Sequence, residues 1–224
     1  MNPIVLCLSG GLDSSVAAIV LRRSHDVFPL FVDYGQEAAM PEQDAARNVS
    51  RHLGLAPLEV ARMPCWQRTS GMGGLSPFFM PHRNLMFSAI ALNYAAHVHA
   101  DGVALGFVAD TDSALFPDAT GDSAKRLSAA LRQIYGRADN WEPVVAPVSH
   151  RFKSDLIVDA IDESFPLELT YSCYRAARCS KCPACVAVRG AFSEAARLVV
   201  PERRALVEAH NPYMRLGISP SMSS

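Results

Sequence analysis

Two segments of the 224-residue chain carry side chains whose types and spacing could do chemistry. The first is SGGLDSS, which follows an apolar run and sets two glycines among three serines and an aspartate. Glycines let the backbone approach an anion closely, and the N–H groups that open a following helix attract negative charge. The segment therefore predicts a phosphate-binding loop, although a glycine pair alone is equally typical of a tight turn. The residues expected to bind a nucleotide here are Ser9, Gly10, Gly11, Leu12, Asp13, Ser14 and Ser15.

The loop differs from the two commonest nucleotide signatures. It lacks the lysine that closes a Walker loop, and it does not follow the G-x-G-x-x-G pattern. Asp13 is an unusual neighbour for phosphates, because a carboxylate repels them unless a counter-ion is present. We therefore expect Asp13 to orient the loop or to help hold Mg²⁺.

The second segment is CYRAARCSKCPAC, which holds four of the six cysteines. Its two overlapping C-x-x-C spacings predict a tetrahedral zinc site. An iron–sulfur cluster also suits the spacing, and free buried cysteines or a redox pair are the simplest alternative. Four protein ligands leave no open coordination position, so the zinc is expected to be structural. The predicted metal ligands are Cys173, Cys179, Cys182 and Cys185.

Apolar runs alternate with helical patterns through residue 165, and a cysteine-bearing helical segment occupies 166–224. This order predicts an α/β fold, a doubly wound parallel five-stranded sheet, with an appended C-terminal zinc-bearing helical segment. Ligands of such sheets bind beyond the carboxyl ends of the strands, where the loops SGGLDSS, DYGQ and ADTDSALFPD would meet. The predicted strands cover 4–9, 27–35, 56–63, 101–108 and 143–148, and the predicted helices cover 14–23, 37–54, 84–100, 124–136 and 151–165.

Composition bounds the classes of partner. A formal net charge of −1 argues against a broad nucleic-acid surface, so no nucleic-acid partner is expected. No apolar stretch approaches the roughly 20 residues of a membrane span, and the first residues do not resemble a signal peptide, so a cytoplasmic location is expected. The apolar stretch Ala191–Ala209 could be a homodimer face or could be buried within one chain.

The glycine loop resembles the pyrophosphatase loop of the PP-loop ATP-dependent adenylating enzymes, which have the adenine nucleotide alpha hydrolase-like fold. The order of further motifs resembles one family in particular, the 7-cyano-7-deazaguanine synthases of queuosine biosynthesis. These motifs are FVDYGQ, the pair Arg83–Asn84, TDSALFPD, Lys153 and TYSCY with its three following cysteines. The resemblance runs through nearly the full length of the chain.

The resemblance implies an ATP-dependent C–N ligase that works with Mg²⁺ and a structural Zn²⁺. ATP would activate 7-carboxy-7-deazaguanine as an acyl adenylate, and ammonia would displace AMP to give an amide. A second ATP would activate the amide oxygen, and elimination would leave the nitrile. Further implied roles are catalysis by Asp13, Arg83 and Lys153, nucleotide binding by Asp33, Tyr34 and Gln36, and substrate binding by Arg83, Asn84, Asp112 and Asp118.

The chain departs from the family pattern in its substrate-facing loops. It has PHRN where the family has PGRN, ALFPDA where the family has SGYPDC, and RAA after Tyr174 where the family tends to have Asn-Gly. Three alternatives therefore stay open. The chain could be an adenylating relative that stops at the amide or modifies another carboxylate or a macromolecule. It could be a tRNA thiolation enzyme, for which Cys65 is the one candidate sulfur carrier, or a non-catalytic zinc-bearing nucleotide-binding module.

Overall fold

A computed structural model describes residues 1–63, 80–111 and 116–213. Within these residues, five parallel strands form one sheet in the order β3-β2-β1-β4-β5. The predicted α/β class and the parallel five-stranded sheet are confirmed. The strands are β1 Asn2–Cys7, β2 His25–Asp33, β3 Glu59–Arg62, β4 Gly102–Ala104 and β5 Val144–Val145.

Helices cover both faces of the sheet because side chains alternate along each buried strand. The helices are α1 Leu12–Leu21, α2 Ala39–His52, α3 Arg83–His97, α4 Gly121–Tyr135, α5 Lys153–Asp162, α6 Pro183–Leu198 and α7 Pro201–Ala209, with a short 3-10 helix at Leu167–Leu169. In β1, Ile4 and Leu6 join a hydrophobic cluster with α1, α2 and α5, whereas Val5 joins a second cluster with α3 and α4 on the opposite face.

Two boundaries differ from the predicted ones for physical reasons. α2 begins at Ala39, so Pro41 lies in the first turn, where a missing N–H costs no helical hydrogen bond. β4 ends at Ala104 although the apolar run continues into buried residues that are shared between the two hydrophobic clusters. A Cβ on Gly106 would lie 2.8 Å from the Ser14 backbone nitrogen, so the chain passes α1 at closest approach there.

The C-terminal segment packs onto the face of the sheet that carries α1 and α5. Phe192 and Val207 are buried in the same cluster as the residues of α1. The predicted boundary at residue 165 stays a prediction, since the two parts share this cluster. Other side chains of these helices face outward, among them Leu198 and Leu206, which are 56% and 44% exposed. None of the helices in the described ranges combines the length and hydropathy that a bilayer crossing requires.

Candidate active site and metal centre

A cavity of about 420 Å³ opens at the carboxyl ends of the central strands. It lies beside β1 and β4, where successive connections leave the sheet in opposite directions, which is where open α/β sheets bind ligands. Its volume falls within the roughly 300–1,000 Å³ typical of small-molecule sites. Ten of the predicted site residues line it: Ser9, Gly11, Leu12, Asp13, Ser14, Tyr34, Gln36, Arg83, Asn84 and Lys153.

Glycine suits the two loop positions for different structural reasons. Gly10 has φ +76°, and a Cβ there would lie 2.5 Å from the Glu42 carbonyl oxygen and 2.6 Å from the Ala46 nitrogen, both in α2. Gly11 has an ordinary extended backbone, with φ −76° and ψ 169°. A Cβ on Gly11 would approach nothing closer than the Ser9 hydroxyl at 3.4 Å. Gly10 is therefore required by packing, whereas Gly11 keeps the cavity side of the loop open.

Helix α1 starts directly at this loop and aims its first turn at the cavity. Gly11 is its N-cap and has no side chain that could accept from the first turn, and the Leu12 N–H donates to the Ser172 hydroxyl at 3.3 Å. The next N–H groups of the helix remain suited to an anion. The hydroxyls of Ser9 and Ser14 form a hydrogen bond of 3.0 Å on the cavity wall. Ser15 instead donates to the Gly11 carbonyl at 2.7 Å and is fully buried off the cavity.

Asp13 and Lys153 form an ion pair on the cavity wall. The Lys153 ammonium, at the start of α5, donates to Oδ2 of Asp13 at 2.8 Å. Oδ1 of Asp13 is buried without a partner among the described residues. Burial raises the pKa of Asp13 and Lys153 opposes that rise, while the nearby Asp110 adds to it. An unpartnered carboxylate oxygen beside a second cavity carboxylate fits the oxygen ligands that Mg²⁺ prefers.

Arg83 is the second cation of the cavity and opens α3. Its Nη1 donates to the Tyr34 hydroxyl at 3.4 Å, and no carboxylate of the described residues lies within ion-pair distance of it. Such a cation suits a phosphate or a substrate carboxylate. His82 precedes it with φ +56°, a left-handed backbone that explains the glycine of the family pattern at this position.

The remaining predicted residues lie off the cavity wall. The Asp33 carboxylate accepts from the Gly35 N–H at 3.0 Å and closes the turn after β2. The Asp118 carboxylate accepts from the Asn84 N–H at 3.1 Å and so caps the start of α3. Asp112 lies outside the described residues, as does Cys65.

Glu42 is a cavity residue that sequence reasoning missed. Its Oε2 accepts from the Gln36 side chain at 3.0 Å, and Gln36 in turn accepts from the Tyr34 N–H at 3.0 Å. The other oxygen of Glu42 has no partner among the described residues, and the side chain lines the cavity. Burial raises the pKa of Glu42 to about 7. Its position in the first turn after the DYGQ loop was the available signal, because that turn faces the same sheet edge.

The C-terminal segment supplies a further wall of the cavity. Tyr171, Ser172 and Tyr174 line it together with the first turns of α6. Their position next to Cys173 was a signal, but nothing in the spacing of the cysteines indicates which side chains face the loop. Burial raises the pKa of Tyr174.

The four predicted metal ligands come together in one cluster. Their Sγ atoms all lie within 4.8 Å of one another, with Cys173–Cys179 at 3.6 Å, Cys173–Cys182 at 3.9 Å and Cys182–Cys185 at 3.5 Å. Zinc–sulfur bonds of about 2.3 Å in a tetrahedron place sulfurs about 3.8 Å apart. A four-iron cluster sets an iron between each thiolate and its centre, and therefore needs more widely spaced sulfurs. The arrangement fits a single tetrahedral ion.

Backbone N–H groups favour thiolates at this centre. Cys173 Sγ accepts from the N–H groups of Arg175 and Cys179, each at 3.4 Å. Burial alone would raise the pKa of Cys179, but the N–H groups of Lys181 and Cys182, together with the neighbouring Cys173 and Cys182 thiols, lower that pKa to about 6. Thiolates are the form that binds metal.

Comparison with solved structures identifies the fold. The U34-tRNA thiolase NcsA from Methanococcus maripaludis superposes with a TM-score of 0.50 at 16% identity, covering 96% of this chain and 73% of that one. A predicted subunit of tRNA methyltransferase from Methanocaldococcus jannaschii gives a TM-score of 0.52 at 14% identity, covering 72% of this chain and 76% of that one. At these identities the likeness shows a shared PP-loop-like fold.

Comparison of sequences identifies the family. The model described as queuosine biosynthesis protein QueC matches residues 67–196, and the asparagine synthase model matches residues 1–63. The 7-cyano-7-deazaguanine synthase of Methanothrix thermoacetophila is 30% identical over 215 residues, covering 87% of this chain and 96% of that protein. Its counterpart in Methanothermobacter thermautotrophicus is 30% identical over 207 residues, covering 83% and 91%. Because relatives of this name align with almost the whole chain at that identity, the chain belongs to the 7-cyano-7-deazaguanine synthase family of queuosine biosynthesis enzymes.

Proposed function

We propose that the chain converts 7-carboxy-7-deazaguanine to 7-cyano-7-deazaguanine with ATP and ammonia. The observation that carries this proposal is one cavity that joins the glycine loop at the start of α1 to two cations, Lys153 and Arg83. A reaction that expels pyrophosphate from ATP needs fixed N–H donors and cations around the departing charge. The family to which the chain belongs is named for the nitrile product.

The proposed sequence uses two ATP molecules. The substrate carboxylate attacks the α-phosphorus of ATP and releases pyrophosphate, and ammonia then displaces AMP to give the amide. The amide oxygen attacks the α-phosphorus of a second ATP, again releasing pyrophosphate, and loss of both N–H protons and of AMP, which carries the amide oxygen away, leaves the C≡N bond. In both halves the first turn of α1 binds the departing pyrophosphate, and Lys153 stabilises the charge that develops on the phosphates.

Substrate recognition is assigned to Arg83 and Glu42, which line the same cavity. Arg83 is proposed to bind the carboxylate, since the described residues give it no carboxylate of their own. Glu42 is proposed to accept from the N–H donors of the deazaguanine ring, because one of its oxygens is free in the cavity. Asp118 is less suited to that contact, because its carboxylate already holds the Asn84 N–H.

Two metal ions are proposed. Mg²⁺ would be held at Asp13, with Asp110 as a second oxygen donor, and would neutralise phosphate charge when bound. Zn²⁺ would be held by the four cysteines and would fix the C-terminal segment against the sheet. We also propose a cytoplasmic location, where ATP and reduced thiols coexist. A homodimer through the exposed side of α6 and α7 stays a prediction, supported by the exposure of Leu198 and Leu206.

Product analysis tests the function. The purified chain is incubated with ATP, Mg²⁺, ammonium and 7-carboxy-7-deazaguanine, and nucleotides and deazapurines are quantified by mass spectrometry. We expect two AMP for each nitrile formed. An amide as the end product would favour a relative that stops halfway, and ADP in place of AMP would reject adenylation.

A matched pair of lysine variants links the product to the cavity. Lys153→Met removes the cation that contacts Asp13, and we expect about a 100-fold loss in kcat/KM. Lys125→Met removes an exposed lysine on α4 and should leave the rate unchanged. Equal rates for the two variants would contradict the assignment of Lys153.

A further inference from the structure

The C-terminal segment touches the phosphate loop through two consecutive residues. The Tyr171 N–H donates to the Gly10 carbonyl at 2.8 Å, and the Ser172 hydroxyl accepts from the Leu12 N–H at 3.3 Å. Leu12 is the first residue of α1, so its N–H has no acceptor within the helix. Ser172 therefore bonds directly to one of the donors that face the cavity.

The Ser172 hydroxyl retains a hydrogen that it can donate. A hydroxyl that accepts one hydrogen bond keeps its own O–H for another. Ser172 lines the cavity, and no acceptor for its O–H lies within reach among the described residues. The position that a Cβ of Gly11 would occupy is 3.5 Å from Ser172 Oγ, so the hydroxyl borders the open side of the loop.

The backbone of Ser172 is held on both sides. Cys173, the next residue, is a member of the cysteine cluster and is buried. On the other side, the guanidinium of Arg178 lies 4.9 Å from the centre of the Tyr171 ring and donates to the Thr170 carbonyl at 2.5 Å. The Ser172 hydroxyl therefore contacts the loop from a backbone segment that is held in place on both sides.

We propose that Ser172 is a phosphate-binding residue of the active site, supplied to the glycine loop by the metal-binding segment. Its O–H donates to a phosphate oxygen of ATP, and to the pyrophosphate that leaves, while its oxygen keeps the Leu12 N–H in line. This inference rests on the proposed function for its ligand, but it concerns binding and does not depend on which acid is activated.

The test compares Ser172→Ala, Ser172→Thr and a surface control, Ser24→Ala, in the full chain loaded with zinc. Dissociation constants for ATP and for inorganic pyrophosphate are measured by calorimetry without the acid, and zinc content and Tm are recorded for each variant. A lost hydrogen bond to a charged phosphate weakens binding about 10- to 100-fold. We expect that loss for Ser172→Ala with zinc and Tm unchanged, near-complete rescue by Ser172→Thr, and no change for Ser24→Ala.

Two results would overturn the proposal. Unchanged pyrophosphate affinity in Ser172→Ala would show that the hydroxyl only caps α1. A parallel loss of zinc, Tm and affinity in Ser172→Ala would show a purely structural role. Failure of the proposed function is seen separately, as a wild-type chain that binds ATP and pyrophosphate yet forms no nitrile.

Discussion

Substituting the two neighbouring loop glycines, one at a time, separates packing from phosphate binding. Gly10→Ala places a Cβ on a left-handed residue and against the backbone of α2. Gly11→Ala places a Cβ on an extended residue of the cavity wall, in ordinary contact with the Ser9 and Ser172 hydroxyls at 3.4 and 3.5 Å. The same chemical change is therefore expected to damage stability at one position and nucleotide use at the other.

The structure sets the expected magnitudes. At Gly10 the left-handed conformation costs a side chain about 1–2 kcal/mol, and contact with backbone atoms that cannot turn away adds about 1–3 kcal/mol. For a chain of this size the sum lowers Tm by roughly 5–15 °C. At Gly11 the backbone is unstrained, so Tm should stay equal or rise slightly, since alanine reduces the entropy of the unfolded chain. There we expect kcat/KM for ATP to fall about 100-fold, because the methyl group keeps phosphate from the loop donors.

Differential scanning fluorimetry and AMP release under limiting ATP measure the two effects on the same preparations. Gly11→Ala that turns over like the wild type would refute the assignment of the loop to phosphate. A Gly10→Ala variant with the same Tm as the wild type would refute the left-handed turn packed on α2. If both variants lost stability equally, the distinction between the two glycines would be wrong.

Two further changes test the carboxylate and the metal. Burial raises the pKa of Glu42 from 4.5 to about 7, so between these pH values the folded chain holds a proton that the unfolded chain has lost, and stability should fall as pH rises through that window. Glu42→Gln should flatten this pH dependence and raise the free energy of unfolding at pH 7.5 by about 1–2 kcal/mol, after allowance for water in the cavity. Urea unfolding at pH 5 and 7.5 measures this, and an equal pH dependence in variant and wild type would contradict it. Cys179→Ala should lose zinc and unfold or aggregate. The control Cys7→Ala should retain one zinc per chain, as measured by atomic absorption. A folded, metal-free Cys179→Ala protein would exclude a structural centre.

The sheet and the loops at its edge could be predicted because their signals are local. A continuous apolar run ending in glycines indicates a buried strand followed by a turn, and β1 with its loop confirms it. The family could also be predicted, since its motifs occur in order along the chain. The length of β4 could not, because the apolar residues after Ala104 are buried without pairing as a long strand.

Side chains that meet across distant elements escaped prediction. Ser172 and Leu12 are separated by 160 residues, and no periodicity encodes their contact. A carboxylate in a polar loop has the same sequence context whether it faces a cavity or, like Asp118, holds the start of a helix. Glu42 was missed for the converse reason, because an acid in the first turn of a helix is also ordinary.

Because residues after 170 form part of the cavity wall, the cavity is completed late during synthesis of the chain on the ribosome. The strands and the glycine loop emerge first, and domains generally fold as they are synthesised. The wall supplied by Tyr171, Ser172 and Tyr174 is absent until the cysteine segment follows and packs against the sheet. Under the proposed function, a truncated or metal-starved translation product is therefore expected to bind ATP more weakly than the full chain.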